Sequence, residues 1–504
     1  MKSKKLHKKD QMLITSSSDY AQCQKKQNNV QQKSSPDCGT STSGLAKMSG
    51  LNTNKQPNFS SAAFKVLFFT SVSLLPIMLI HHEVGGDWIA FFKTEWLVKG
   101  IKKFVEPLEF TKHLAWHNKE LVKHLEWHDN VQHVVVFDAG STGTRLHVYL
   151  FTPTKDGGGG VEMVSEVFQK ISPGISNYAH NPGAVAVQLQ SLVDVAMEVV
   201  PGDLHVVTPL IFKATAGLRL LAPETQNSLL KSVRELLISS TNFVFSPLDV
   251  NVMNGVDEGL FGWITINFLL GNLQQNKKTV AAIDCGGGSV QVTYRVQPGD
   301  FSSLKDVEQV QIFDLDYSLY THSYLGQGLK SARIAVLHAV PDGSLLSYCL
   351  PTGYVGKLVY DDETEFTVRG PNASVPEGCW EQVGDFVKRS GFSPQPSLMK
   401  EDIYLFAFFF DVARDAGLIG QDQHEVILTS QDYLDASIRV CGAPEQSNPF
   451  LCQDLTYIAL MLHEGLKLWD KELHVVDQLN GGETSWTLGV ALAAVSNSQS
   501  PASP

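Results

Sequence analysis

The chain has 504 residues, 43% of them hydrophobic and 18% charged, with 40 Gly and 22 Pro. That ordinary globular composition excludes collagen-like, coiled-coil and wholly disordered chains, and the length suits two or three domains. The formal net charge of -12 argues against a nucleic-acid partner, because a phosphate backbone calls for a basic face.

The charge is unevenly spread. Residues 1–63 hold ten Lys, no Arg and three Asp, a net of +7, which leaves -19 on the remaining 441 residues. This stretch is rich in Lys, Gln, Ser, Thr and Asn, shows no apolar period, and reads as a disordered cytosolic tail. Val66–Ile80 (VLFFTSVSLLPIMLI) is apolar and uncharged. A membrane span needs roughly 17–25 residues, so the predicted signal-anchor takes in its flanks and covers 64–82, with Lys65 snorkelling to the interface. The positive-inside bias then places everything after Ile80 in the lumen. A signal peptide starting at Met48, cleaved to yield a secreted chain, is the alternative.

Residues 83–130 read as a helical stem. KHLAWH at 112–117 recurs as KHLEWH at 123–128, an offset of 11 residues, or three helical turns. His113, His117, His124 and His128 therefore share one face. His pairs at this spacing can bind zinc, but no Cys or carboxylate is placed to complete a set, and an amphipathic stem is the reading taken.

From Val131 the texture alternates between β and α. HVVVFDAG (133–140) and VAAIDCGGG (280–288) are buried strands entering Gly turns, and 183–200 and 225–239 are amphipathic helices. The expected class is α/β. Of seven Cys, Cys23 and Cys38 lie in the tail, and the five beyond the anchor allow two disulfides and one free thiol. A lumenal position permits such bridges and makes Asn372-Ala-Ser374 a usable glycosylation sequon.

The central feature is a duplication. Asp138-Ala-Gly-Ser-Thr-Gly-Thr-Arg145 ends one apolar strand, and Asp284-Cys-Gly-Gly-Gly-Ser-Val-Gln291 ends another 146 residues later. Each sets a carboxylate at a strand end, followed by small residues whose N–H groups can approach phosphate oxygens. The carboxylates can hold a divalent cation. One such loop is often only a turn; two matched loops can clamp a polyphosphate. FKATAGLRLL (212–221) follows a strand-like run, LHVVTPLIF, and offers the Thr215 hydroxyl and the Arg219 cation, unless Arg219 serves a surface carboxylate. GVDEGLFGWITINFLLG (255–271) is an apolar helix opening on Asp257 and Glu258. Both carboxylates suit the helix dipole, and one of them could be the general base that anhydride hydrolysis needs. Neither a Walker A motif nor HExxH is present.

DAGSTGTR, KATAGLRLL, NGVDEGLFGWITINFLLG, AIDCGGGSVQVTY and LNGGETSWTLGVAL (479–492) resemble, in order and spacing, the five apyrase conserved regions of the ectonucleoside triphosphate diphosphohydrolases. YTHSYLGQG (320–328) resembles a further family segment. The likeness covers about 131–496 and is greatest to the soluble-type members with one N-terminal anchor. It implies two RNase-H-like lobes of the actin, hexokinase and heat-shock-chaperone type, with the active site between them. One lobe would be 131–254 plus 476–496, the other 255–475, with 497–504 a disordered end.

The resemblance also implies roles. Glu258 matches the catalytic base, with Ser289 and Gln291 near the attacking water. Asp138 and Asp284 match the carboxylates around Mg²⁺ or Ca²⁺. Ser141, Thr142, Gly143 and Thr144 match the first phosphate loop, Gly286, Gly287 and Gly288 the second, and Thr215 and Arg219 further phosphate contacts. Cell-surface members carry His where this chain has Gly143. Cys349 with Cys379, and Cys441 with Cys452, resemble the disulfides of the soluble-type members, which leaves Cys285 buried and unreactive. LFAFFFDVA (405–413) resembles a segment that supplies an aromatic ring to the nucleobase, Phe409 being the candidate; read from its residues alone it is a Phe-rich core helix.

The implied activity is hydrolysis of nucleoside diphosphates (GDP, UDP and IDP) ahead of triphosphates, by a monomeric ectodomain. The chain would be a single-pass type II Golgi membrane protein, or would reach the cell surface or be secreted after cleavage. An exopolyphosphatase-like phosphohydrolase uses similar paired loops and is the competing enzyme reading. GLRLL, the Cys set and the anchor argue against it. A chaperone-like ATP-driven module would need a peptide-binding domain for which no residues remain.

Overall fold

The structure is a computed structural model and describes residues 131–499 apart from 155–159, 298–305, 314, 360–364, 374, 376 and 446. The tail, the anchor at 64–82 and the stem with its four His lie outside these residues. Among the described residues no helix is long and apolar enough to cross a membrane.

The first sheet holds β1 (Gln132–Ala139), β2 (Thr144–Pro153), β3 (Val161–Ile171), β4 (Leu210–Ala214) and β5 (Val250–Val252), in the order β3-β2-β1-β4-β5. β1 to β3 form an antiparallel meander, and β4 and β5 continue it in parallel. α1 (Ala184–Val199), the short α2 (Ala216–Arg219) and α3 (Pro223–Ser240) connect these strands. Val185, Leu189, Leu192, Val193 and Ala196 recur at helical spacing and bury the inner face of α1. With Leu229 and Val233 of α3 they pack on Val135, Phe137, Leu146 and Phe212. Both faces of β1 are covered, which is why its run of apolar residues is continuous rather than alternating. The strand-like run LHVVTPLIF yields a strand only from Leu210, because His205–Val207 forms a 3₁₀ turn. There Thr208 Oγ1 donates to Leu204 O at 2.9 Å and His205 Nε2 lies 2.7 Å from Val200 O, so local side-chain bonds hold the turn.

α4 (Gly255–Leu269) leads to β6 (Ala281–Cys285), β7 (Ser289–Arg295), β8 (Val307–Ile312) and β9 (Leu315–Leu325). After α5 (Leu329–Ala335) comes a small sheet, β10 (His338–Ala339), β11 (Leu345–Leu346), β12 (Val355–Val359) and β13 (Glu365–Arg369). Then follow α6 (Gly378–Arg389), β14 (Ile403–Ala407), α7 (Phe408–Asp415), β15 (Glu425–Leu428), α8 (Ser430–Gly442), α9 (Leu451–Leu460) and β16 (Leu473–Val476). The second large sheet runs β15-β16-β14-β6-β7-β9-β8. Its centre repeats the first sheet: β6, β7 and β9 are antiparallel, while β14 and β16 extend from β6 in parallel. The hairpin β17 (Gln478–Leu479) and β18 (Gly482–Glu483) precedes the last helix, α10 (Trp486–Gln499). The helix runs past 497, where a disordered end was expected to begin; Leu488, Leu492 and Val495 anchor it in the core.

α4 and α10 pack side by side and share a core with Val134, Val136, Tyr149 and Phe406. Their contact depends on glycine: a Cβ on Gly489 would stand 2.2 Å from Phe261 O. α4 is buried almost all round, as a helix enclosed between layers should be. Cys349–Cys379 and Cys441–Cys452 form disulfides, and Cys285 is free and buried.

Candidate functional site

Both glycine loops are hairpin turns at equivalent places, β1–β2 and β6–β7. Each closes on a backbone bond, Gly140 N to Gly143 O and Gly286 N to Ser289 O, both 3.0 Å. The strand registers put Asp138 opposite Arg145 and Asp284 opposite Gln291. Arg145 Nη1 donates to Asp138 Oδ2 at 2.9 Å. The other oxygen, Asp138 Oδ1, is buried without a partner, and so is Asp284 Oδ1.

The loops face each other. A Cβ on Gly287 would stand 2.1 Å from Ser141 Oγ and 3.2 Å from Thr142 Cγ2. The segment after β4 closes a third side: a Cβ on Gly217 would reach Ser141 Cα at 2.9 Å, and one on Gly288 would reach Ala216 Cβ at 2.7 Å. Thr215 sits buried where β4 passes into α2. Ser141 is thus enclosed by residues from both sheets, and only glycine permits the approach. Gly143 is equally constrained, since a Cβ would lie 2.5 Å from Ile171 O. In this backbone a side chain at position 143 would require the Ile171 carbonyl to shift.

Glu258 lies in the first turn of α4 and is 5% exposed. Arg219 Nη2 donates to its Oε2 and, at 3.1 Å, to Ser289 Oγ. Gln291 Nε2 lies 3.1 Å from the same Glu258 oxygen, 2.7 Å from Ser289 Oγ and 2.8 Å from Ser323 Oγ. Burial pushes the Glu258 carboxyl up to about 7, against the pull of Arg219. Burial also raises Asp138, and raises Asp284 well above the ordinary carboxylate range, where the charges of Glu258 and Asp138 add to the effect. The guanidinium groups of Arg145 and Arg219 offset part of the charge of these three carboxyls. Asp257 does not belong to this group. Its backbone N–H donates to the Asn254 side chain at 2.7 Å, and its carboxylate accepts from Asn254 Nδ2 at 2.9 Å.

The structure therefore gathers Asp138, Ser141, Thr142, Thr215, Arg219, Glu258, Asp284, Gly286, Gly287, Gly288, Ser289 and Gln291, with Gly143 and Thr144 closing the first loop. Phe409 is a correction. Its ring is fully buried in the core of the second sheet with Ile283 and Phe410, and its carbonyl accepts from Tyr433 Oη at 2.8 Å. It has no face to offer a base. Asn372 is exposed, and the thiol of Cys285 is pushed up by burial, as expected of an unreactive group.

Two residues were passed over. Arg145 closes the first motif and is the cross-strand neighbour of Asp138; the period of two along a hairpin could have found it. Ser323 belongs to YTHSYLGQG and joins the net through β9, the neighbour of β7. That segment also supports the second loop: Leu329 N and Ser331 N donate to Gly286 O and Gly287 O at 2.9 and 3.0 Å. Lys330, between them, stays open to solvent, yet partial burial and the charges of Arg333, Lys170 and Arg145 push its amine down to about 8.

Paired glycine loops, a carboxylate at the foot of each and a buried Glu held by Arg and Gln define an α/β phosphohydrolase. The GDA1/CD39 (nucleoside phosphatase) family model matches residues 124–501, and the chain belongs to that family. It is 37% identical over 381 residues to mouse (Mus musculus) ectonucleoside triphosphate diphosphohydrolase 6, covering 70% of this chain and 80% of the relative. It is 34% identical over 397 residues to the nucleoside-diphosphatase uda-1 of Caenorhabditis elegans, covering 72% and 82%. The crystal structure of nucleoside triphosphate hydrolases from Neospora caninum superposes with a TM-score of 0.53 at 14% identity, over 78% of this chain and 98% of that one, which shows a shared fold. The chain is a phosphoanhydride hydrolase with nucleoside phosphatase activity.

Proposed function

We propose that the chain hydrolyses nucleoside diphosphates, with GDP, UDP and IDP preferred to triphosphates, to nucleoside monophosphate and phosphate. The observation that carries this reading is the position of Glu258. It shares Arg219 and Gln291 with Ser289 at the end of the second loop, feels the charge of Asp138 at the foot of the first, and titrates where it can accept a proton at neutral pH. Glu258 would deprotonate a water aligned by Ser289 and Gln291. The N–H groups of 141–144 and 286–288 would cradle the phosphate oxygens, the Thr215 hydroxyl would donate to one of them, and Arg219 would fix the terminal phosphoryl group.

Asp138 and Asp284 would hold Mg²⁺ or Ca²⁺. Each keeps one buried carboxylate oxygen without a partner, and oxygen donors suit hard cations. When bound, such an ion offsets phosphate charge and polarises the phosphoryl oxygens. The preference for diphosphates rests on likeness to relatives, one of them named a nucleoside-diphosphatase. The two disulfides support a lumenal catalytic part in an oxidising compartment, in keeping with a type II Golgi anchor at 64–82. The ectodomain would act as a monomer.

A panel of phosphate-release assays tests the reading: GDP, UDP, IDP, GTP, UTP and long-chain polyphosphate, with Mg²⁺, with Ca²⁺ and with chelator. The expected result is diphosphate turnover about tenfold or more above triphosphate, cation dependence, and negligible release from polyphosphate. Faster release from polyphosphate would replace this reading with the exopolyphosphatase-like one.

A further inference from the structure

His147 follows Arg145 on the same face of β2 and is fully buried. Its Nδ1 lies 2.7 Å from Glu166 Oε1 on β3 and 3.2 Å from Tyr149 Oη. Its Nε2 is buried and has no partner. The second oxygen of Glu166 accepts from the backbone N–H of Glu483, on the β17–β18 hairpin, at 3.1 Å. Among the described residues the Glu483 carboxylate itself has neither a hydrogen bond nor an ion pair, although it is half-buried. Ligand atoms from His147, Glu166 and Glu483 all lie within 4.8 Å of one another.

A plain buried His–Glu pair accounts for Nδ1 and Glu166. It leaves the half-buried Glu483 carboxylate without a hydrogen bond, the positive charge of Arg145 acting on it only through space. One imidazole and two carboxylates form a three-ligand set suited to a borderline divalent ion that keeps a fourth position for water. The nitrogen donor separates this set from the oxygen-only pair Asp138 and Asp284. We propose that His147, Glu166 and Glu483 form a second cation site, for an ion of the zinc class, distinct from the cation site of the phosphate loops. An ion there would tie the β17–β18 hairpin to the first sheet. Tyr149 Oη is also 2.8 Å from Thr487 Oγ1, so the start of α10 leans on the same group of side chains.

The test is equilibrium binding of Zn²⁺ to the full chain, with Co²⁺ as the spectroscopic probe, in excess Mg²⁺ and without nucleotide. It is therefore read independently of catalysis. One ion per chain is expected at this site, bound at least tenfold more weakly by His147→Gln and by Glu483→Gln and unchanged by Asp138→Asn. Zinc loading should also raise the melting temperature of the wild type but not of Glu483→Gln. If His147→Gln fails to fold, Glu483→Gln on the hairpin decides. Absence of tight binding overturns the proposal. So does binding that persists in the folded variants, which would place the ion elsewhere, for example on the stem histidines. Loss in Asp138→Asn would assign it to the phosphate loops.

Discussion

In the proposed mechanism Glu258 is the general base, and its protonation gives a directional prediction. Its folded carboxyl stands near 7, raised by burial and held down by Arg219. A base must be ionised to accept a proton, so kcat/KM should rise as pH increases through about 7. A profile flat from about pH 5.5 to 8.5 would contradict that role. Gly143 gives a second test at this scale. Gly143→Ala would drive a methyl group toward the fixed Ile171 carbonyl, only 2.5 Å away. A loss of about 1–3 kcal/mol in a urea titration is expected, with a fall in activity, because backbone cannot swing aside as a side chain can. Apart from Arg145, the charged and glycine residues gathered in the cleft are legible in the sequence because their chemistry is unusual: carboxylates at strand ends, and runs of small residues. Phe409 was not, since a Phe-rich helix looks the same whether it serves a ligand or a core.

Among the elements, the α4–α10 contact holds the site together. α4 carries Glu258, and α10 presses on α4 and on β1, which carries Asp138. Gly489→Val should therefore cost stability and, by displacing α4, turnover. The expected change is a melting temperature lower by several degrees, with kcat falling more than KM rises. Unchanged values would show that the contact is slack. Cys441–Cys452 closes a short stretch, with a sequence separation of 11. Replacing both by Ser should cost about 2–3 kcal/mol in chemical denaturation, at the low end for bridges because the loop is short. Periodicity exposed the helices and β1 well. It failed at 205–209, where side-chain bonds to the backbone held a 3₁₀ turn against a run of β-branched residues.

For the molecule as a whole, the duplication visible in two loops proves to be a duplication of sheets. The order β3-β2-β1-β4-β5 recurs as β9-β7-β6-β14-β16. One copy of the loop sits on the same hairpin in each sheet, which explains a separation far too long for a local repeat. The sheet order, the Ser323 link and the return of α10 to β1 depend on pairings between distant residues, so no local pattern in the chain revealed them. The net charge argues against a long polyanion such as nucleic acid as partner. A nucleotide is small enough to be held by backbone N–H groups, Arg219 and a cation. The central claim is that Glu258, set between the two loops, activates the water that cleaves a nucleoside diphosphate. It is tested most directly by phosphate release from GDP by the wild type and Glu258→Gln, compared at equal circular dichroism and melting temperature. The account predicts a loss in kcat of about three orders of magnitude or more with KM little changed, and turnover within a few-fold of the wild type would contradict it.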